Sequence, residues 1–417
     1  MEQKSLTTLE KRWVLYDVGN SAFTMLVSTL FPIYFNSLAE SAGVSEVDYL
    51  AYWGYATSVA TILVVLIGPV LGAMADIRNF KKPLFSACMC LGVLGCAALS
   101  LPTMWMAFLA VFVLARVGYN TSLIFYDSML VDVTTKERMD MVSSHGYAWG
   151  YIGSCIPFVC SIVLVLLYEK IGISIRTAMT LAFCLNAIWW LVMTIPLLRV
   201  YKQVYCVERQ SGIVRSSFQR LGATLRDMKN QKHIFLFLLA FFFFIDGVYT
   251  VIDMATAYGS ALGLDTQGML LALLVTQLVA FPCALLFSRL SKKYETAKLL
   301  KVCLVAYIVI AVFAIQLDQQ WEFWLLAVMV GMFQGAIQAL SRSYFAKIIP
   351  ADKAGEYFGI YDICGKGASF TGTTLVGVVA QMTNLPNAGV AVIAVMFVIG
   401  LILFNRAARQ PERANRK

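Results

Sequence analysis

The sequence predicts an all-α membrane protein of twelve transmembrane helices arranged as two pseudo-symmetric halves of six. Three observations carry that prediction. The first is composition: 59% of the 417 residues are hydrophobic and only 14% charged, where globular chains carry about 25% charged residues. The second is the recurrence of apolar windows of about 20 residues, the helix length that crosses a hydrocarbon core about 30 Å thick. The third is an internal repeat. Lys136, Glu137, Arg138, Gly150 and Ser154 match Ala351, Asp352, Lys353, Gly365 and Ser369 at one constant offset, and Arg78, Lys81 and Lys82 recur as Arg289, Lys292 and Lys293. Parallel halves of a membrane bundle leave this kind of weak symmetry in corresponding loops.

In chain order the spans are 13–38, 50–73, 83–101, 103–130, 142–167, 175–198, 233–258, 266–288, 298–317, 321–346, 355–382 and 386–406. Met1 to Arg12 is polar and of mixed charge, and the apolar stretch after it is long enough to span, so the N-terminus reads as retained rather than cleaved. The longest polar connection, 199–232, falls after the sixth span. It separates an N-terminal half, 1–198, from a C-terminal half with a basic tail, 233–417. Within it Phe218, Leu221, Leu225 and Met228 repeat at helical spacing, with Arg220, Arg226 and Lys229 between them, which predicts an amphipathic helix lying on the membrane surface.

Of the 33 Lys and Arg, Lys170 and Arg176 alone flank one face, and Arg116 and Lys366 lie deep inside spans. The others gather at the termini, in alternate loops and at the span ends beside them. This asymmetry predicts that both termini and the basic loops are cytoplasmic, with the plasma membrane as the expected location. It also accounts for the net charge of +9 without nucleic acid. Nine of the ten cysteines fall in apolar spans and Cys206 in the basic linker, with no metal-ligand spacing. All read as unpaired core residues, and no metal or cofactor is expected. No phosphate-binding glycine loop is present and there are only two histidines, so an enzyme is not expected.

The connection Gly72-Ala-Met-Ala-Asp76-Ile-Arg78-Asn79-Phe-Lys81-Lys82 resembles the signature loop of the major facilitator superfamily, with Asn79 where a second glycine is usual. Trp13 to Phe23, Phe31 to Phe35, Ser144 to Gly153, and Gln334-Gly335-Ala-Ile-Gln338-Ala-Leu-Ser341-Arg342-Ser343 followed by Tyr357 to Tyr361 resemble permeases related to the vacuolar amino-acid effluxer. The resemblance implies the major facilitator fold, a central cavity lined by spans 1, 4, 7 and 10, and a cytoplasmic gate at Asp76, Arg78, Lys81 and Lys82. It implies a secondary transporter.

Ionisable groups in lipid cost at least about 2.5 kcal/mol each, so they must face a cavity or one another. Asp17, Ser21, Thr24 and Ser28 share a face of span 1; Arg116, Asn120 and Asp127 of span 4; Asp246, Tyr249 or Thr250, and Asp253 of span 7; Gln334, Gln338 and Arg342 of span 10; Asp362, Lys366 and Thr373 of span 11. At about 1.5 Å per residue, Arg116, Asp246, Gln334 and Lys366 fall near the midplane, where transporters bind substrate. With Asn120, Tyr249 and Gln338 they are the expected solute site. Asp17, Asp127 and Arg342 fall nearer the cytoplasm as expected closing ion pairs. Two midplane cations against one acid favour a carboxylate-bearing, amino-acid-like solute, and Asp246, then Asp253, are the expected proton carriers. Structural pairing of Arg116, Lys366 or Asp246 is the competing account of those charges. Protons or sodium ions are the expected coupling partners, and the protein is expected to be a monomer in lipid. A lipid or lysolipid transporter on the same fold and a non-transporting membrane receptor are the alternatives.

Overall fold

The computed structural model describes residues 5–209, 212–228, 230–261, 265–383 and 385–414. Helices α1 (Thr8–Ser28) and α2 (Leu30–Ser41) together make the first span. The first half continues with α3 (Glu46–Ala75), α4 (Lys81–Ala98), α5 (Trp105–Ser128), the short α6 (Leu130–Val133), α7 (Met139–Leu166), the short α8 (Tyr168–Ile171) and α9 (Ile175–Val200). After α10 (Ile213–Met228) the second half comprises α11 (Lys232–Ala261), α12 (Thr266–Leu290), α13 (Thr296–Ile315), α14 (Gln320–Ile348), α15 (Ala354–Thr383) and α16 (Pro386–Ala414). Among the described residues eleven stretches are long and apolar enough to cross a membrane. Helix α15, with 30 residues and hence about 45 Å of helix, is the twelfth of membrane length.

The first span is not the continuous helix that hydropathy suggests. Pro32 can neither donate to the Ser28 carbonyl nor clear it, and the helix breaks at Thr29, whose hydroxyl donates back to the Met25 carbonyl at 2.5 Å. At its start α1 carries a capping box in which Thr7 and Glu10 satisfy each other's backbone N–H. Glu10 also pairs with Arg138 at 2.6 Å, tying the chain start to the loop before α7.

Within the first half α1 packs on α7 and α9, and α4 on α5; within the second, α11 packs on α16 and α12 on α14. Between halves α3 lies along α15, and α7 lies along α12 and α14. The second span of each half thus meets the fifth of the other, as the repeat requires. These seams are tight at the end where both termini and the basic loops lie, here called the basic end. A Cβ on Gly72 of α3 would collide with the Gly355 carbonyl of α15, and one on Gly359 would stand 2.7 Å from the Pro69 backbone. Asn79 holds φ 66°, so it supplies the left-handed turn residue where the related loops use glycine. The glycines of α7 face α1: a Cβ on Gly150 would stand 2.9 Å from the Ser21 hydroxyl, a close helix approach of the small-residue kind.

The linker is more closely attached than its polarity suggests. Val207 donates to the Asp76 carbonyl at 2.8 Å and accepts from the Arg78 N–H at 3.1 Å, folding the segment back on the loop after α3. Helix α10 then buries Ser217, Thr224 and Met228 against the protein while Phe218 and Leu225 stay exposed. Its Arg220 guanidinium donates to the Ala73 carbonyl of α3. The apolar stripe is therefore divided: Met228 and Leu221 pack on the protein beside the docked Ser217 and Thr224, while Phe218 and Leu225 look outward.

Candidate functional site

Arg342 of α14 is the focus of the basic end. Its Nη1 lies 3.0 Å from Asp127 of α5 and its Nη2 3.3 Å from Asp17 of α1. Nε donates to the Ser143 hydroxyl at 2.9 Å and Nη2 to the Ser143 carbonyl of α7 at 3.1 Å. The guanidinium is sandwiched between the rings of Trp13 and Tyr147, 4.7 and 4.5 Å from their centroids. The residue is 2% exposed. Only a planar, five-donor, permanently charged group fits such a site, and every partner named belongs to the other half. The contacts therefore exist only while this seam is closed.

Two further carboxylates cross the seam. Asp76, at the C-terminus of α3, accepts the backbone N–H of Gly355 at 2.7 Å and of Glu356 at 2.9 Å, which are free donors at the start of α15. Asp140, in the first turn of α7, accepts from Thr296 and Ser343 hydroxyls at 2.6 Å and from Lys347 at 2.7 Å. Asp140 was not among the residues singled out by sequence, because a lone acid in a basic loop carries no pattern. The expected gate residues divide: Asp76 reaches the other half, whereas Arg78 is exposed and engages the linker through its backbone. Lys81 corrects the expectation. Fully buried, it lies 3.2 Å from Asp132 and donates to the Ser128 carbonyl, all inside the first half. Asp132 also accepts from the Tyr201 hydroxyl at 2.5 Å and from the N–H of Val204 and Tyr205. The Lys81–Asp132 pair is thus an anchor for the linker.

Toward the midplane, polar groups from both halves, some exposed and some buried, come together in one region. Thr24 of α1 and Tyr119 of α5 share a hydrogen bond of 2.7 Å. Gln338 of α14 donates to the Tyr151 hydroxyl of α7 at 3.4 Å, and Gln334 reaches the same hydroxyl. Tyr249 of α11 packs beside Gly365 of α15. Arg116 lies over the Phe112 ring at 5.8 Å, one turn below Asn120, and is close enough to Lys366 to act on it electrostatically. Lys366, however, is ion-paired with Asp362 one turn away on its own helix. The two cations and one acid inferred from sequence are kept in number but not in identity: with Asp246 covered by α15, Asp362 is the acid beside Arg116 and Lys366, and one positive charge remains in excess.

Asp246 is placed differently from the expectation. It has no exposed surface, sits between α11 and α15, and accepts the Gly372 N–H at 3.0 Å and the Thr250 hydroxyl at 3.3 Å. Its second oxygen is buried without a hydrogen bond among the described residues. In this conformation it does not face that region. The helical wheel located its face, but that face is covered by the equally polar face of α15. The side chain of Asp253 lies outside the described residues.

A twelve-helix bundle of two repeated halves, closed at one end across the repeat and polar at its centre, defines a transporter of the major facilitator class rather than an enzyme. Solved structures with that fold superpose over nearly the whole chain: the human organic anion transporter MFSD10 (TM-score 0.73, 13% identity, 95% of this chain and 99% of that one) and the transporter FucP in its outward conformation (TM-score 0.71, 13% identity, 96% and 97%). Residues 8–416 match the family model for vacuole effluxer Atg22-like proteins, and the chain belongs to that family. Among its relatives are the uncharacterized MFS-type transporter YxiO of Bacillus subtilis, 41% identical over 96% of this chain and 95% of that protein, and autophagy-related protein 22 of Eremothecium gossypii, 23% identical over 89% and 85%.

Proposed function

We propose that this transporter carries a zwitterionic, amino-acid-sized solute by alternating access. The observation that carries the reading is the charge pattern toward the midplane, where the Arg116 guanidinium, one positive charge in excess, stands beside the Lys366–Asp362 ion pair among the amides and hydroxyls of Gln334, Gln338, Tyr151 and Tyr249. A solute carboxylate would take the fork of Arg116. Its ammonium would compete with Lys366 for Asp362, so each charge of the zwitterion would meet an opposite charge of the site. The relatedness to vacuole effluxers supports a transport role.

The Arg342 cluster, Asp76 and Asp140 are the closing contacts in this scheme. We place the basic end in the cytoplasm, by the distribution of Lys and Arg, at the plasma membrane. The arrangement described is then the outward-facing one, the state named for FucP. Asp246, buried and half-satisfied, is the carboxyl assigned to proton coupling, and the functional unit is a monomer.

Uptake of radiolabelled neutral amino acids, dicarboxylates and sugars into proteoliposomes, with and without a pH gradient, tests the reading. Neutral amino acids should be carried, Arg116→Ala should abolish their binding, and Asp246→Asn should lose the response to the gradient. Unchanged affinity in both Arg116→Ala and Lys366→Ala would remove the assigned site.

A further inference from the structure

An opening lies away from the centre, on the flank where the halves meet along α7 and α12. It has a volume of about 1310 Å³, above the roughly 300–1,000 Å³ of small-molecule pockets. Its walls are apolar, built from Val14, Leu15 and Val18 of α1, Ile152 and Ile156 of α7 and Trp189 of α9. Along α7 it extends from Met141 to Cys160, about 28 Å at the helical rise, nearly the thickness of the hydrocarbon core. At the basic end three exposed cations rim its mouth: Lys11 from the first half, and Arg289 and Lys292 from the second.

The repeat explains why these cations stand there. Arg289 and Lys292 are the second-half counterparts of Arg78 and Lys81. In the first half, Lys81 is buried between two acids, 3.2 Å from Asp132 and 4.0 Å from Asp76. In the second half the position two residues before Arg289, where Asp76 stands in the first copy, is Phe287, and the counterpart of Asp132 is Lys347. Phe287 packs on Phe333, and Lys347 is itself a cation engaged by Asp140. The basic loop is kept and both acids that would neutralise it are gone. Among the described residues neither Arg289, Lys292 nor Lys11 lies within ion-pair distance of a carboxylate.

We propose that this groove binds an anionic phospholipid of the leaflet at the basic end, its phosphate among Lys11, Arg289 and Lys292 and an acyl chain along Val18 and Ile156. The lipid phosphate replaces the acids missing from the second repeat. Because Lys11 and Arg289 come from different halves, one bound lipid also spans the seam, screens the repulsion between their cations and favours the closed basic end. The site is separate from the central region and does not depend on the identity of the transported solute.

The test is native mass spectrometry and thermal melting of the full-length protein in neutral detergent, titrated with phosphatidylglycerol or with phosphatidylcholine of the same chains. Phosphatidylglycerol should be retained and raise the melting temperature at concentrations at least tenfold below phosphatidylcholine. The triple variant Lys11→Gln/Arg289→Gln/Lys292→Gln should bind it on the order of a hundredfold more weakly, at about fivefold per cation near an anionic surface. Lys298→Gln/Lys301→Gln, which neutralises the same membrane face outside the groove, should bind as wild type does. Ile156→Trp keeps every charge, fills the apolar channel and should also weaken binding, so a folding failure of the triple variant leaves the question answerable. Equal retention of the two lipids, wild-type binding by both the triple variant and Ile156→Trp, or displacement of phosphatidylglycerol by millimolar inorganic phosphate would each overturn the proposal.

Discussion

Replacing Arg342 should open the basic end of the bundle without unfolding either half. In the closed arrangement the guanidinium satisfies Asp17, Asp127 and both the hydroxyl and carbonyl of Ser143, all on the opposite half. Removing one member of a buried charged network costs about 3–5 kcal/mol, because the partners are left buried and unpaired. In Arg342→Ala that cost falls on the closed state alone, since separation of the halves lets water reach Asp17 and Asp127. The closed-to-open ratio should therefore fall by about 150- to 5,000-fold, enough to invert a strongly closed resting population. Arg342→Lys keeps the charge but loses the planar fork and its stacking between Trp13 and Tyr147. Its shift should be smaller, about 30-fold for roughly 2 kcal/mol.

Hydrogen exchange of the protein in lipid nanodiscs reads this directly. Amides in the first turns of α7 and the last turns of α14 should exchange faster in Arg342→Ala, with Arg342→Lys intermediate, while the opposite end becomes more protected. A double-mutant cycle with Asp127→Asn should show coupling well above 0.5 kcal/mol, the usual scatter of independent sites. Unchanged exchange at both ends, or additive effects of Arg342→Ala and Asp127→Asn on melting, would refute the reasoning.

Gly355→Ala places a methyl group against the Gly72 carbonyl; hydrogen exchange at the start of α15 should rise, and turnover in liposomes should fall more than solute affinity. Lys81→Ala should behave unlike Arg342→Ala: it strands Asp132 inside the first half, so melting should drop by the equivalent of about 3–5 kcal/mol while transport per folded molecule persists. Burial lifts the Asp76 carboxyl from 3.8 to about 7, against the opposing pull of Lys81 and of the Glu356 and Gly355 N–H groups. The closed state thus holds the Asp76 proton more tightly than an unfolded chain. Its stabilising contribution is complete below about pH 4 and is lost as pH rises through about 7, a range worth a few kcal/mol. Melting temperature measured from pH 4 to 8 should accordingly fall less steeply in Asp76→Asn, which keeps a neutral oxygen acceptor at every pH; an identical slope would place the titration elsewhere.

The fold was legible because lipid imposes a length and a polarity on every span, and because duplication leaves the same loop twice. Arg342, Asp17 and Asp127 were legible for a related reason: an ion in a membrane helix must have a partner, and three helices each offered one candidate at the same depth. What sequence could not supply was partner choice among near neighbours. Lys366 has Asp362 a single turn away on its own helix, a local partner that its midplane depth, read as a place in the solute site, did not reveal. Asp246 and Gly372 meet face to face although neither helix alone shows which polar stripe will be covered. The two copies of the basic loop carry the clearest case. By pattern they are equivalent, yet Lys81 is an internal anchor and Lys292 an exposed cation, because Asp132 and Asp76 in one copy are replaced by Lys347 and Phe287 in the other. The meaning of a charged motif in a bundle of this kind is set by the acids that face it from neighbouring helices. A repeated loop whose acids have changed is therefore better read as a change of partner than as a second copy of the same gate.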